Sequence, residues 1–443
     1  MSEWFEELSE LLRIPSISAE PEHAADVMRA AEWTRDFIRT IGGEADVVDW
    51  HGQPLVIGEV RASKDAETAP TVIAYGHYDV QPPDPLELWK TDPFAPELRD
   101  DRLFARGIAD DKGSVYMLLA GTRRLAQAGE LPVNVRFTFE GEEETGGDSI
   151  LQLIEADERG GDAAIVLDGG WLAADVPAFN FVTRGMVYCH VTLRTGKGDL
   201  HSGEYGGVAL NAAHALIRTL DALIARDGRL VEPLRAGIIP PAADEVAGWA
   251  QLPNGAEELA ERGATPADPK AGEEFYRRIG TEPSLDVNGI QSGSPFAQKT
   301  VLPVRADANL SVRLVPGQDS QKIAATLERL LREAAPAGAA LELEISSASD
   351  AAVVDANVDA IRLAQDAFER IFGKRPILAR SGGSVPIVGT FSRRGIPAIV
   401  TGFFLPDSNI HAPNENLLAK FIPLGIDAVA AMLQAFGELT PGH

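Results

Sequence analysis

The sequence predicts an α/β protein with a largely parallel sheet, into which a smaller ferredoxin-like β-α-β-β-α-β domain is inserted. Three observations predict it. Short, continuously apolar runs at 71–75 and 163–167 are separated by helical patterns, as expected of strands buried on both faces. From about 185 to 345 the strands instead alternate apolar with polar residues, which suits a sheet with one wet face. After residue 350 the first style returns. The division that follows gives 1–184 and 351–443 to the α/β domain, and 185–350 to the inserted one.

Taken in order, residues 3–13 set Trp4, Phe5, Leu8, Leu11 and Leu12 at helical spacing. A second helix is expected over 24–40, closed by Gly42 and Gly43. The apolar strand at 71–75 runs into Gly76-His77-Tyr78-Asp79. A helix over 113–127 is entered through Asp110-Asp111-Lys112. Val133, Val135, Phe137 and Phe139 alternate in a strand that leads to Glu142-Glu143-Glu144-Thr145-Gly146-Gly147, and the strand at 163–167 ends in Asp168. In the middle, Val187, Cys189, Val191 and Leu193 alternate, and 208–225 is an Ala/Leu-rich helix. Residues 228–283 are rich in Pro, Gly and Ala, a long insertion with helical pieces and no strand signal. A strand begins near 285–290. Ala306, Ala308, Leu310, Val312 and Leu314 mark the next, an amphipathic helix covers 318–334, and a strand covers 340–345. That order is β-α-β-β-α-β. A helix at 357–372, an apolar strand at 398–401 and a helix at 420–436 complete the chain.

The chain has 443 residues, 66 acids against 40 bases, and a net charge of -26. Domains of roughly 100–200 residues make two the natural count. With no basic surplus to meet phosphates, neither nucleic acid nor an anionic membrane is an expected partner. One cysteine, Cys189, excludes an internal disulfide framework and a Cys-based zinc knuckle. The first residues show no basic region followed by an apolar one, and no apolar run is long enough to span a bilayer. A cytoplasmic protein is the expectation.

Several His and acidic residues fall at the carboxyl ends of the apolar strands, where open α/β sheets place their ligand crevice: His77, Asp79, Glu142 to Glu144 and Asp168. His411 follows the strand at 398–401. Such nitrogen and oxygen donors suit zinc, manganese or cobalt. Each signal has a plainer meaning beside it. His77-x-Asp79 reads as a turn carboxylate beside a surface His, or as a ligand with a carboxylate that fixes its tautomer. Asp110 and Asp111 read as helix-capping charge, or as a carboxylate able to bridge two metals. The Glu run reads as a solvated charge cluster; where the strand breaks at Thr145-Gly146-Gly147, neighbours can also converge, one to bind metal and one to take a proton from water. Asp168 caps a turn or binds metal. His201 lies in a loop too Gly-rich for core packing. Arg313, on the polar face of its strand with Asn309 and Ser311, is a solvated arginine or a carboxylate clamp. Cys189 and Trp171 read as packing residues.

Each signal is modest alone, but their order along the chain is specific. Gly76-His77-Tyr78-Asp79-Val80, Arg106-Gly107-Ile108-Ala109-Asp110-Asp111-Lys112-Gly113, Glu140-Gly141-Glu142-Glu143-Glu144-Thr145-Gly146, Asp199-Leu200-His201-Ser202-Gly203, Ser311-Val312-Arg313-Leu314-Val315-Pro316 and His411-Ala412-Pro413-Asn414-Glu415 occur in sequence. The chain resembles, over nearly its whole length, the di-zinc peptidases of the carnosinase, aminoacylase and carboxypeptidase G superfamily, in the branch of carnosinase and the cytosolic nonspecific dipeptidases.

The resemblance implies a phosphorylase/hydrolase-like catalytic domain and an inserted lid and dimerisation domain. It implies a metal-dependent dipeptidase acting on dipeptides or short peptides with a free C-terminal carboxylate, through a hydroxide held by two metal ions. Zinc is the first expectation for the metal, with manganese or cobalt as alternatives. His77 and Asp168 would hold one ion, Glu144 and His411 the other, and Asp110 both, with a cis peptide to Asp111. Asp79 would orient His77, and Glu143 would act as general base and then proton donor. His201 would stabilise the oxyanion in the active site of the neighbouring subunit of a homodimer. Arg313 would bind the substrate carboxylate, with Thr300 and Ser384 as further contacts. Two stretches depart from the carnosinase pattern. Asn288-Gly289-Ile290-Gln291 replaces His-Gly-Ile-Glu, and His411-Ala412-Pro413-Asn414-Glu415 replaces His-Ser-Gln-Asn-Glu. Neither removes a ligand; both bear on substrate choice. An N-acyl amino acid deacylase or desuccinylase shares every ligand and is the alternative of the same chemistry. A catalytically silent binding homologue is the alternative of another class.

Overall fold

A computed structural model describes residues 3–224, 228–241, 243–249, 252–383 and 385–442. The chain forms two compact units. The first comprises 1–181, 354–379 and 390–443, and the second 182–353 and 380–389.

The first unit is built on a six-stranded sheet in the order Glu44–Trp50, Gln53–Val60, Asn134–Glu140, Thr71–His77, Ala163–Val166, Ala398–Val400. The last four run parallel, and only Gln53–Val60 opposes its neighbours. The hairpin at 44–60 is absent from the sequence reading. Its signal is small, a two-residue turn in which His51 and Gly52 both take positive φ, 54° and 87°. Asn134–Glu140 also departs from its alternating pattern, for all seven residues are buried. The polar alternates are paired inside: Arg136 bonds Asp157 twice at 2.9 Å, and Asn134 accepts from Ala62 N at 3.0 Å. Helix Phe421–Phe436 packs against both Lys112–Ala128 and Asp359–Phe372. Trp171 fills the core there, with ring centroids 4.8 Å from both Phe372 and Phe421.

The second unit carries a four-stranded antiparallel sheet ordered Ser284–Gln291, Arg305–Leu314, Gly185–Arg194, Ala340–Ser349. Helices Ala212–Asp221 and Ser320–Ala334 complete the β-α-β-β-α-β order. Each has a side-chain cap: Asn211 accepts from His214 N, and Asp319 from Lys322 N. The inward alternates Val187, Cys189, Val191 and Leu193 pack with Leu216 and Leu327 in one core, while His190, Thr192, Asp307 and Asn309 lie on the other face. The helix expected over 208–225 begins later, at Ala212, because Asn211 caps it there, and it runs to Asp221; residue 225 lies outside the described residues. The insertion holds Ala243–Gly248, Gly255–Glu261 and Phe275–Thr281, with no named strand among the described residues. Among the described residues no helix is long and apolar enough to cross a membrane.

Candidate metal centre

The parallel register brings three strand ends side by side, with His77 opposite Glu140 and Tyr75 opposite Val166. His77, the turn after Glu140 and Asp168 therefore emerge at one edge of the sheet. Helix Lys112–Ala128 begins beside them. Its entry is fixed by Lys112, whose buried Nζ donates to the carbonyls of Leu11 and Ile14 at 3.2 and 2.6 Å. The Asp110–Asp111 peptide is cis. Asp111 Oδ2 accepts from His77 N at 3.1 Å, locking the two segments together.

Asp110 lies at the middle. Its Oδ1 is 2.9 Å from His77 Nε2, and its Oδ2 is 2.9 Å from His411 Nε2. His411 Nε2 is also 3.1 Å from Glu144 Oε2. On the far side of His77, Nδ1 lies 3.3 Å from Asp79 Oδ1 and 3.2 Å from the Asp79 carbonyl. Asp79 is held in turn, since Oδ2 accepts from Ser18 Oγ at 2.6 Å and from Glu144 N at 3.1 Å.

The triple Glu is sorted by its turn. Glu142 is buried and its Oε1 accepts from Ser149 N, the first amide of helix Ser149–Ala156, at 2.8 Å. Gly147 makes that possible, because a Cβ there would lie 2.0 Å from the Glu142 carboxyl carbon. Gly146 takes φ 72°, the left-handed conformation that closes the turn. Glu144 meets His411, and Gln81 Nε2 donates to its Oε2 at 2.9 Å. Glu143 is left among His77, Asp168, Asp110 and Glu144, the charges that act on it.

The electrostatics follow from burial and from the close approach of carboxylates and imidazoles. Burial, then the charge of Asp110, push the Asp168 carboxyl up; burial, with Asp168 and Asp110, does the same to Glu143. Burial also acts to raise Asp110, but hydrogen bonds from His411 and His77 outweigh it and hold that carboxyl well below the usual range. His411 is raised to about 10 by its bonds with Asp110 and Glu144. One oxygen or nitrogen each from His77, Asp110 and Glu144 lie within 4.8 Å of one another, so these residues fit a divalent cation. The opposite outlook of the two Asp110 oxygens suits a second ion on the His411 side.

His201, Thr300 and Arg313 lie in the second unit. His201 is exposed in the short strand Leu200–His201, which pairs with Val301–Leu302. Its Nδ1 accepts from Gly203 N at 3.1 Å, and the Thr300 carbonyl accepts from Ser202 N at 3.0 Å, so His201 and Thr300 are neighbours. Arg313 is on the polar face of Arg305–Leu314 and half-buried. Ser384 lies outside the described residues. The sequence reading does not pick out Ser18, Gln81 or Arg106. The first two are lone polar residues with no spacing signal; Arg106 stood only inside a longer motif.

A largely parallel α/β sheet with His and carboxylate donors gathered at its strand ends is the architecture of a metal-dependent centre. The chain belongs to peptidase family M20/M25/M40, whose sequence pattern matches residues 73–435. It is 28% identical to the cysteinylglycine-S-conjugate dipeptidase of Corynebacterium striatum, over 98% of this chain and 95% of that protein. It is 27% identical to the beta-Ala-His dipeptidase of Homo sapiens, over 94% and 86%. Among solved structures it resembles the M20 family metallo-carboxypeptidase Sso-CP2 of Sulfolobus solfataricus, with TM-score 0.90, 27% identity, and 99% and 100% of the two chains covered. Sequence, fold and relatives agree on a peptidase of this family, and the Corynebacterium and human relatives are named dipeptidases.

Proposed function

We propose that this metallopeptidase cleaves dipeptides and short peptides beside a free C-terminal carboxylate, using two divalent ions and Glu143 as the proton carrier. The observation that carries the reading is Asp110, whose two oxygens face His77 and His411 separately, with Glu144 beside His411. In this reading His77 and Asp168 hold one ion, Glu144 and His411 the other, and Asp110 both, while Asp79 sets the His77 ring through Nδ1. Zinc suits this donor set, and manganese or cobalt also fit it. The ions would supply Lewis acidity, polarising the peptide carbonyl and acidifying a water.

The chain's own residues do the rest. Glu143 takes a proton from the attacking water as its oxygen adds to the carbonyl carbon. The C–N bond then breaks, and Glu143 returns the proton to the amine nitrogen. His201 donates to the oxyanion. Its Nδ1 already accepts from Gly203 N, so the neutral ring carries its proton on Nε2, the atom free to donate. His201 serves the neighbouring subunit's site in a homodimer, with the second unit acting as lid and dimerisation domain. Arg313 pairs with the substrate carboxylate, helped by Thr300 and Ser384. The only cysteine, Cys189, is a buried free thiol, so the fold needs no oxidising compartment, in keeping with a cytoplasmic enzyme.

The test is release of amino acids from a mixed dipeptide pool, by protein that has been chelated and then reloaded with zinc or manganese. Metal-restored release supports the proposal. Release only from N-acyl amino acids would make the chain a deacylase. Cleavage of longer peptides in preference to dipeptides would favour the carboxypeptidase activity named for the Sulfolobus relative.

A further inference from the structure

The segment that carries His411 contributes a second group to the centre. Glu415 is fully buried, and so is Arg106. The Glu415 carboxylate is spread over the loop that presents Asp110. Its Oε2 accepts from Arg106 Nη1 at 2.8 Å and Gly107 N at 3.0 Å, and its Oε1 accepts from Ala109 N at 2.8 Å and Asp110 N at 3.2 Å. Three of the four donors are backbone amides leading into Asp110. The same short segment bears His411, so one carboxylate ties both sides of the His411–Asp110 contact. His411 and Asn414 take φ 57° and 62°, a conformation rare for residues with side chains. The turn is pinned at two points: Glu415 as described, and Asn414, which accepts from Lys90 N at 2.9 Å and donates to the Leu88 carbonyl at 2.8 Å.

We infer that Glu415 is a positioning residue of the metal centre: by gripping the amides of 107, 109 and 110 it sets the Asp110 carboxylate against His411. A buried ion pair with Arg106 alone would serve stability only. The amide bonds are what connect Glu415 to the donor atoms, and Arg106 completes the satisfaction of the carboxylate. The inference rests on the metallopeptidase reading of the site.

Glu415→Gln and Arg106→Lys separate the two roles. The Gln amide has the same shape, but its NH₂ must face two N–H donors, so part of the grip is lost. Arg106→Lys leaves all three amide bonds intact. The measurements are zinc affinity by chelator competition well below the unfolding temperature, kcat and KM, and Tm by circular dichroism. Glu415→Gln is expected to bind zinc about 10–100-fold more weakly, with kcat reduced and KM within about twofold. Arg106→Lys is expected to lower Tm while zinc affinity stays within about threefold. Wild-type zinc affinity and kcat in folded Glu415→Gln overturns the inference, as does equal weakening in both variants. If Glu415→Gln does not fold, Glu415→Asp, which keeps the charge without the reach, decides by the same zinc measurement. Wild-type protein that binds zinc yet cleaves no peptide removes the peptidase reading and leaves the zinc comparison standing.

Discussion

Three adjacent glutamates of identical chemistry occupy three different environments, and each environment predicts a different phenotype. Glu142 accepts from Ser149 N, the first amide of helix Ser149–Ala156. Glu142→Ala should cost about 1 kcal/mol of stability in urea unfolding, with metal content unchanged. Glu144 meets His411 and Gln81, so Glu144→Ala should lose bound metal, measured by elemental analysis. Among the described residues Glu143 has no such partner, and it lies among the charges of His77, Asp168, Asp110 and Glu144. Glu143→Gln should keep its metal while kcat falls about 10²–10⁴-fold. Metal lost together with activity would mean that Glu143 is itself a ligand.

At the scale of the element, the turn at 142–147 holds these side chains apart only because Gly147 leaves room for the Glu142 carboxyl. Gly147→Ala pushes that carboxyl away and shifts the residues beside it. A displacement of this kind should lower kcat about 10²-fold, with the protein still folded by circular dichroism. The neighbouring strand Asn134–Glu140 depends on a buried pair. Arg136 and Asp157 are nearly enclosed, and Arg136→Met should cost about 3 kcal/mol in urea unfolding at neutral pH. Burial acts to raise the Asp157 carboxyl, but the bond from Arg136 outweighs it and lowers it below its ordinary value. Stability from a lowered carboxylate is fully present above its unfolded pKa, about 3.9, and is lost as pH falls through the folded value. The gap in urea midpoint between wild type and Arg136→Met should therefore narrow below about pH 4.

At the scale of the whole molecule, the proposed homodimer divides each active centre between two chains. His201 and Glu143 lie in different compact units, and a homodimer with exchanged His201 makes a strong prediction. His201→Ala and Glu143→Gln dimers should each be nearly inactive. Mixed under conditions that allow subunits to exchange, they should recover about a quarter of wild-type turnover, since hybrid dimers hold one complete centre. No recovery between exchanging subunits would place His201 in the centre of its own chain, or outside catalysis. Large apolar side chains are exposed on the second unit, among them Val208 and Ile217. Ile217→Asp should shift sedimentation toward the 47.4 kDa monomer and reduce turnover, with metal content unchanged.

The fold class and the family were legible in the sequence for a physical reason. Continuous apolar runs report burial on both faces, alternation reports burial on one, and the motif order is a one-dimensional property of the chain. The hairpin at 44–60 was not, because it rests on one two-residue turn. The burial of Arg136 was not either, because its partner Asp157 belongs to a distant segment. The same holds within the site. Sequence fixes which donors exist at 77, 110, 142–144, 168 and 411, but not which oxygen of Asp110 faces which imidazole. It does not separate the glutamate that binds the helix amide from its neighbours, nor does it reveal that Glu415 grips the Asp110 loop. Those are distances between segments remote in the chain, and only packing in three dimensions sets them.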